Sequence, residues 1–290
     1  MANKINKLGV SIVSRGYFID SDIYFPLLEK RFDDLSKYLV NPKSVKYMSK
    51  QDIQAVYALG SALENFDYNG SMTGIYMSVG YIPFDESSLI NIAKNSTDKR
   101  KFSMKKFVSH AITDFNPLST FKCLTNMPIY HCSVNYKIKG PYFVTHPAIG
   151  EFYQALNRAI SDLKSGLIDT AIVGATADFS NYLAKNRLQY DIGNNINTLN
   201  GSAFIIIENT DYALKNNRTI IYKLINHELS YNPAKNEYYE LFNSSQSDIY
   251  MGPSSLCLYL NTDNSKLTHD GQSYNGYKFN SVWEIVNEFR

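Results

Sequence analysis

Apolar and polar positions along the chain alternate between two periods. Leu8 to Val13 is a short apolar run that predicts a first strand. Ser49-Lys50-Gln51-Asp52 has the form of a helix start, with Ser49 as N-cap. Ile53, Val56, Tyr57, Gly60 and Leu63 follow at helical spacing. Thr73 to Val79 is a second β-type run, closed by Gly80. Residues 84–114 are polar and fit neither period. Between Gly140 and Gly174 the pattern is clearest. Tyr142-Phe143-Val144-Thr145 predicts a strand, and Pro147 interrupts it. Ile149, Phe152, Tyr153, Leu156, Ala159, Ile160 and Leu163 then mark one helical face. Gly166 stands where a helix C-terminal glycine belongs, and Ile168 to Val173 predicts the next strand. A β–α–β unit of this kind implies parallel strands and a right-handed crossover. Ala203 to Glu208 and Thr219 to Ile225 predict further strands, with a short helix from Asp211 between them. Residues 231–280 are rich in Asn, Ser, Tyr and Gly and give few elements.

At 290 residues the chain is long enough for one α/β domain with a large core, and 44% of its residues are hydrophobic. The 29 basic and 27 acidic residues leave a net charge of +2, which gives no long-range attraction to nucleic acid or to an anionic membrane. Lys99-Arg100-Lys101 and Lys105-Lys106 form a local basic cluster, expected to be a solvated face; an acidic carrier protein is the partner it would suit. No apolar run has the length of a membrane span, and Met1 to Lys7 lacks the apolar core of a signal peptide. Cys123, Cys132 and Cys257 are odd in number and without metal-ligand spacing, as expected of reduced thiols in a cytoplasmic protein. No Walker, dinucleotide or zinc pattern is present, so no cofactor or metal is expected.

The order of these pieces resembles the β-ketoacyl synthase family. Pro42-Lys43-Ser44-Val45-Lys46-Tyr47-Met48 ahead of a helix, Asn126-Met127-Pro128 followed by Gly140-Pro141, the stretch Leu163 to Ala175, and Gly201 to Glu208 carry the resemblance, which covers roughly residues 7 to 230. It implies an α/β, thiolase-like layered αβαβα fold, here one domain over 1–290. An N-terminal half (1–200) would be followed by a shortened C-terminal half (201–290). In the family a cysteine at the start of the buried helix becomes the acylated thiolate, favoured by the helix dipole. Counting from Gly140-Pro141 places Ile149 at that position, and no cysteine occurs between Cys132 and Cys257. The family's two histidines have no clear counterpart. His227 matches neither motif, and His269 in Thr268-His269-Asp270-Gly271 is a degenerate remnant. Catalytic residues are therefore expected to be absent. His146, just before the helix, is expected to plug the turn.

The resemblance then implies a chain-length-factor-like subunit. Such a protein forms a heterodimer with an active ketosynthase and shapes its acyl tunnel in polyketide, aryl polyene or fatty-acid-type elongation. The acyl carrier protein would reach it through that partner. The expected dimer interface is Tyr142, Phe143, Val144 and Thr145 with Asn126 and Met127. The expected tunnel residues are Leu118, Phe121 and Thr125, spaced i, i+3 and i+7. Two other readings stay open: a thiolase-fold enzyme with different thioester chemistry, such as hydrolysis or acyl transfer through His146, and a carrier-binding structural module. No Gly-x-Ser-x-Gly elbow supports the former.

Overall fold

The computed structural model describes residues 9–20, 32–82, 86–113, 117–146, 151–178, 196–198, 200–232, 237–244, 248–251, 259–261, 267–269 and 272–274. In chain order its principal elements are β1 (Val10–Asp20), α1 (Lys50–Leu63), β2 (Thr73–Val79), α2 (Glu86–Asn95), β3 (Thr97–Asp98), β4 (Lys101–Phe102), α3 (Met104–Ser109), α4 (Pro117–Lys122) and α5 (Met127–Tyr136). They continue with β5 (Tyr142–Thr145), α6 (Glu151–Lys164), β6 (Thr170–Ala177), β7 (Ile196–Thr198), β8 (Asn200–Asn209), the short helix Thr210–Lys215, β9 (Tyr222–Asn232), β10 (Glu237–Ser244) and β11 (Asp248–Met251).

Eight strands form one mixed sheet in the order β11-β10-β9-β1-β8-β6-β2-β5. β5 and β6 both run parallel to β2, with Ile75 opposite Tyr142 on one side and Ile172 on the other. The parallel crossover expected from the sequence is present, but β5 and β6 are not neighbours; α6 carries the chain over β2, which lies between them. The remaining pairings, β6–β8, β8–β1, β1–β9, β9–β10 and β10–β11, are antiparallel. The strands β9 to β11 thus extend the first sheet beyond β1 as a meander.

Burial explains why the central strands read as unbroken apolar runs. Every residue of β2 and β6 is buried, because helices cover both faces. On one face Phe152, Ala155, Leu156, Ala159, Ile160 and Leu163 of α6 pack on Tyr76, Val173, Ile205 and Ile207. On the other, α1 and α5 cover Ile75, Met77, Ile172, Phe204 and Ile206. The alternation of Ile205 and Ile207 with Phe204 and Ile206 assigns each residue to its face. A hydrogen-bonded clamp joins β2 to α6: Tyr76 Oη donates to Asp162 Oδ2 at 2.7 Å, and Arg158 pairs with the same carboxylate at 3.0 Å.

Local chemistry sets the ends of the main helices. Ser49 and Asp52 form a reciprocal capping box at the start of α1. At the end of α6, Gly166 has φ +73°, and Leu167 N donates to the Asp162 carbonyl, which closes the helix. Boundaries elsewhere moved by a few residues. β1 runs on to Asp20 through a bulge between Ile12 and Ser14, β6 starts at Thr170, and the last apolar run belongs to a strand starting at Tyr222. Within the stretch unreadable by period, residues 86–113 hold an excursion of α2, the β3–β4 hairpin and α3, which pack on one another. Its hairpin tip, Lys99-Arg100, takes φ 45° and 64°. A left-handed conformation costs a residue with a Cβ about 1–2 kcal/mol, and such turns ordinarily use Asn-Gly.

Candidate functional site

The parallel strands β2, β5 and β6 end side by side at Gly80, His146 and Asp178. Ligands of α/β proteins bind outside the carboxyl ends of such strands. Here the ends of β2 and β6 approach the first turn of α1 closely. A Cβ on Gly80 would sit 3.0 Å from Ala177 Cα and 3.1 Å from Gln51 Oε1. Gln51 Nε2 donates to the Tyr81 carbonyl at 2.6 Å, and Thr176 Oγ1 donates to the Gln51 carbonyl at 3.0 Å. Ser202 Oγ of β8 donates in turn to Thr176 Oγ1. Gln51 Oε1 and both amide atoms of Gln54 are buried without a partner among the described residues. The polar corner is therefore rigidly tied to the sheet and keeps spare hydrogen-bonding capacity.

His146 is exposed at the end of β5. Ile149, which counting from Gly140-Pro141 puts at the family's cysteine position, lies outside the described residues, as does Cys257. The two described cysteines are not activated. Cys132 is fully buried on α5 within the apolar cluster; burial first, and the nearby Asp52 second, push its thiol well up. Burial also raises the Cys123 thiol. Two other buried groups carry displaced titrations. Desolvation lifts the Asp52 carboxyl to about 7, although the Ser49 backbone and side chain and the Lys122 charge oppose it. Burial depresses His131 to about 4, against a hydrogen bond to the Tyr47 backbone, so its imidazole is neutral at ordinary pH.

The expected interface residues lie on β5 and at the start of α5. β5 is its edge strand, hydrogen-bonded to β2 alone among the described strands. Tyr142 is 66% exposed, Phe143 and Val144 are half-buried, and Thr145 is buried. Asn126 is the exposed N-cap of α5, whereas Met127 is buried. On the same helix Tyr130 and Val134, one turn apart, leave apolar surface exposed, which sequence reasoning missed. Their i, i+4 spacing on one helix was the available signal.

The tunnel residues are arranged differently from their sequence spacing. α4 ends at Lys122, so Leu118 and Phe121 share a helix while Thr125 lies beyond its end in the turn before α5. Leu118 and Thr125 are half-buried, and Phe121 is 52% exposed. Sustained helical spacing was the wrong extrapolation there, because Leu124 N donates to the Phe121 carbonyl and Met127 N to the Leu124 carbonyl. The family-like histidine candidates lie far along the chain. His227 is in β9 opposite Phe242, and His269 ends a short strand opposite Gln272.

No family model and no curated protein matches the chain. Solved structures do. A type II PKS acyl-carrier protein in complex with its ketosynthase bound to the hexaketide (AntDE:AntF) superposes with a TM-score of 0.58 at 16% identity, over 77% of this chain and 69% of that chain. The ishigamide ketosynthase/chain length factor gives 0.58 at 13% identity, over 78% and 68%. A β-ketoacyl synthase from Burkholderia phymatum gives 0.54 at 13%, over 78% and 65%. Identities this low carry the fold alone: the chain is a mixed α/β protein of ketosynthase-like, thiolase-type architecture. Among the described residues no helix is long and apolar enough to cross a membrane.

Proposed function

We propose that this chain is a non-catalytic, chain-length-factor-like subunit, paired with an active β-ketoacyl-[acyl carrier protein] synthase in polyketide, aryl polyene or fatty-acid-type chain elongation. The observation that carries the reading is a ketosynthase-like sheet whose β5–α6 connection, Pro147-Ala148-Ile149-Gly150, contains no thiol. Ketosynthase chemistry needs a thiolate to accept the acyl chain at a helix N-terminus, and isoleucine supplies no nucleophile. Cys132, the cysteine nearest in sequence, is a buried hydrophobe on another helix.

What remains for such a chain is shape. The outer edge of β5, with Tyr142 exposed beside half-buried Phe143 and Val144, pairs with no further strand among the described residues, and folded proteins cover such edges. Pairing it with the corresponding strand of a ketosynthase, with Asn126 and α5 alongside, would close the sheet across the dimer. Leu118, Phe121 and Thr125 would then face the partner's acyl chain and limit its length by bulk. The acyl carrier protein would load the partner's cysteine and not this chain.

Co-expression tests the reading. The chain should co-purify with a ketosynthase as a heterodimer, and condensation by that complex should vanish when the partner's catalytic cysteine is replaced. A soluble, monodisperse monomer indifferent to the ketosynthase would refute it.

A further inference from the structure

The excursion Glu86 to Thr113 carries an apolar surface that the rest of the described residues do not cover. Phe102 is 65%, Met104 63% and Val108 58% exposed, and Leu89, Ile90 and Ile112 are exposed with them. Met104 and Val108, four residues apart, share one side of α3, and Ile112 is exposed in the turn that follows. The Phe102 ring lies 6.0 Å from that of Phe107, a residue of the same helix α3. Apolar surface gathered in one place on a folded chain marks a contact surface.

The same short segment concentrates positive charge. Lys94, Lys99, Arg100, Lys101, Lys105 and Lys106 stand against Glu86 and Asp98, a local balance of four positive charges in a chain whose total is +2. Lys106 is held by Asp98 at 3.0 Å. Lys99, Arg100, Lys101 and Lys105 are exposed and have no ion-pair partner among the described residues. The turn places Lys99 and Arg100 at its tip, in the left-handed conformation, where an uncharged Asn-Gly would be easier to accommodate.

We infer that this excursion is a peripheral attachment site for an anionic phospholipid surface. Three features favour lipid over a protein partner. Five of the six cations are lysines, which protein interfaces exclude from their cores but which suit a lipid surface, where the aliphatic stem lies among acyl chains and the ammonium reaches the headgroups. Only Arg100 offers the planar fork that reads a carboxylate in a fixed geometry. The exposed apolar side chains are flexible or aliphatic apart from Phe102, and they share one short segment with the cations, as in segments that lie in the interfacial plane. A second copy of the chain is disfavoured, since the face would meet its own positive charge.

Co-sedimentation of the whole chain, or of its complex with a ketosynthase, with vesicles tests the site. Phosphatidylcholine vesicles are compared with vesicles containing about one-third phosphatidylglycerol, at about 0.05 M and about 0.5 M salt. Binding is expected to the anionic vesicles alone and to fall steeply with salt. Lys99→Glu, Arg100→Glu and Lys101→Glu together should weaken it at least about a hundredfold, at about fivefold for each cation removed. Met104→Ser with Val108→Ser should weaken it too but leave its salt dependence unchanged. All five positions are exposed, and melting curves confirm that the variants fold. Equal binding to neutral vesicles, no binding at low salt, or indifference to the charge reversal would overturn the site. So would indifference to the two serine substitutions, which would reduce the effect to charge alone. Capture by polyglutamate without binding to anionic vesicles would assign the face to an acidic protein and also overturn it.

Discussion

Replacing Phe121 with alanine separates a tunnel residue from a core residue. Truncating a fully buried Phe costs about 3–5 kcal/mol, because the lost transfer free energy is joined by a cavity. Phe121 is 52% exposed on the six-residue helix α4, so roughly half of its ring is already in water. A Phe side chain buries about 150–250 Å² when fully covered, so the area lost beyond what alanine retains is about 60 Å². At about 25 cal/mol per Å² this amounts to about 1.5 kcal/mol, with no cavity term because solvent fills the space. A loss of that size should lower the melting temperature by about 3–6 °C. The assay pairs that melting temperature with the product length of the ketosynthase complex. The account predicts the small shift together with longer products. A fall well beyond that range with unchanged products would show that Phe121 is ordinary core and would refute its assignment to the tunnel.

Three further outcomes follow from the same structure. Gly16→Ala should destabilise the chain severely, since its Cβ would lie 2.3 Å from Ala62 N and 2.4 Å from Ala58 O, where α1 rests on β1; chemical denaturation measures the loss. Tyr76→Phe should cost about 1.5–3 kcal/mol in the same assay by removing the charge-assisted bond to Asp162, with little change in packing. Asp52 and His131 should oppose each other in the pH dependence of stability. The Asp52 carboxyl is raised from 3.8 to about 7, so the folded state holds its proton longer and this group's contribution is lost as pH rises through about 7. The His131 imidazole is lowered from 6.5 to about 4, so its contribution is lost as pH falls through about 4. Asp52→Asn should therefore leave stability rising from about pH 4 to about pH 6.5, by up to about 1.4 kcal/mol per pH unit, where the parent chain is flatter; melting curves across that range would show no change in slope if the account of Asp52 is wrong.

How much was legible in the sequence depended on burial. β2 and β5 match their sequence-read bounds because Thr73 to Val79 and Tyr142 to Thr145 are compact β-type runs closed by Gly80 and Pro147. α1 was marked by Ser49 and α6 by a single apolar face packed on the sheet. The excursion 86–113 was not readable, because its apolar residues face water and follow no single period. The far end of β1 was missed because Ser14, Arg15 and Tyr17 interrupt the apolar run around a bulge. The polar corner at the strand ends was also invisible. Gln51 lies more than a hundred residues before Thr176 and Ser202, and the three meet only through the sheet order. Thr125 was placed on a helix because spacing carries no information about where hydrogen bonding stops.

The central claim is that this chain takes no acyl group while belonging to a complex that does. The most direct measurement is intact mass spectrometry of both chains after incubating the complex with acyl-loaded carrier protein. The account predicts one acyl adduct on the ketosynthase and none on this chain; a stoichiometric adduct on any residue of this chain would contradict it.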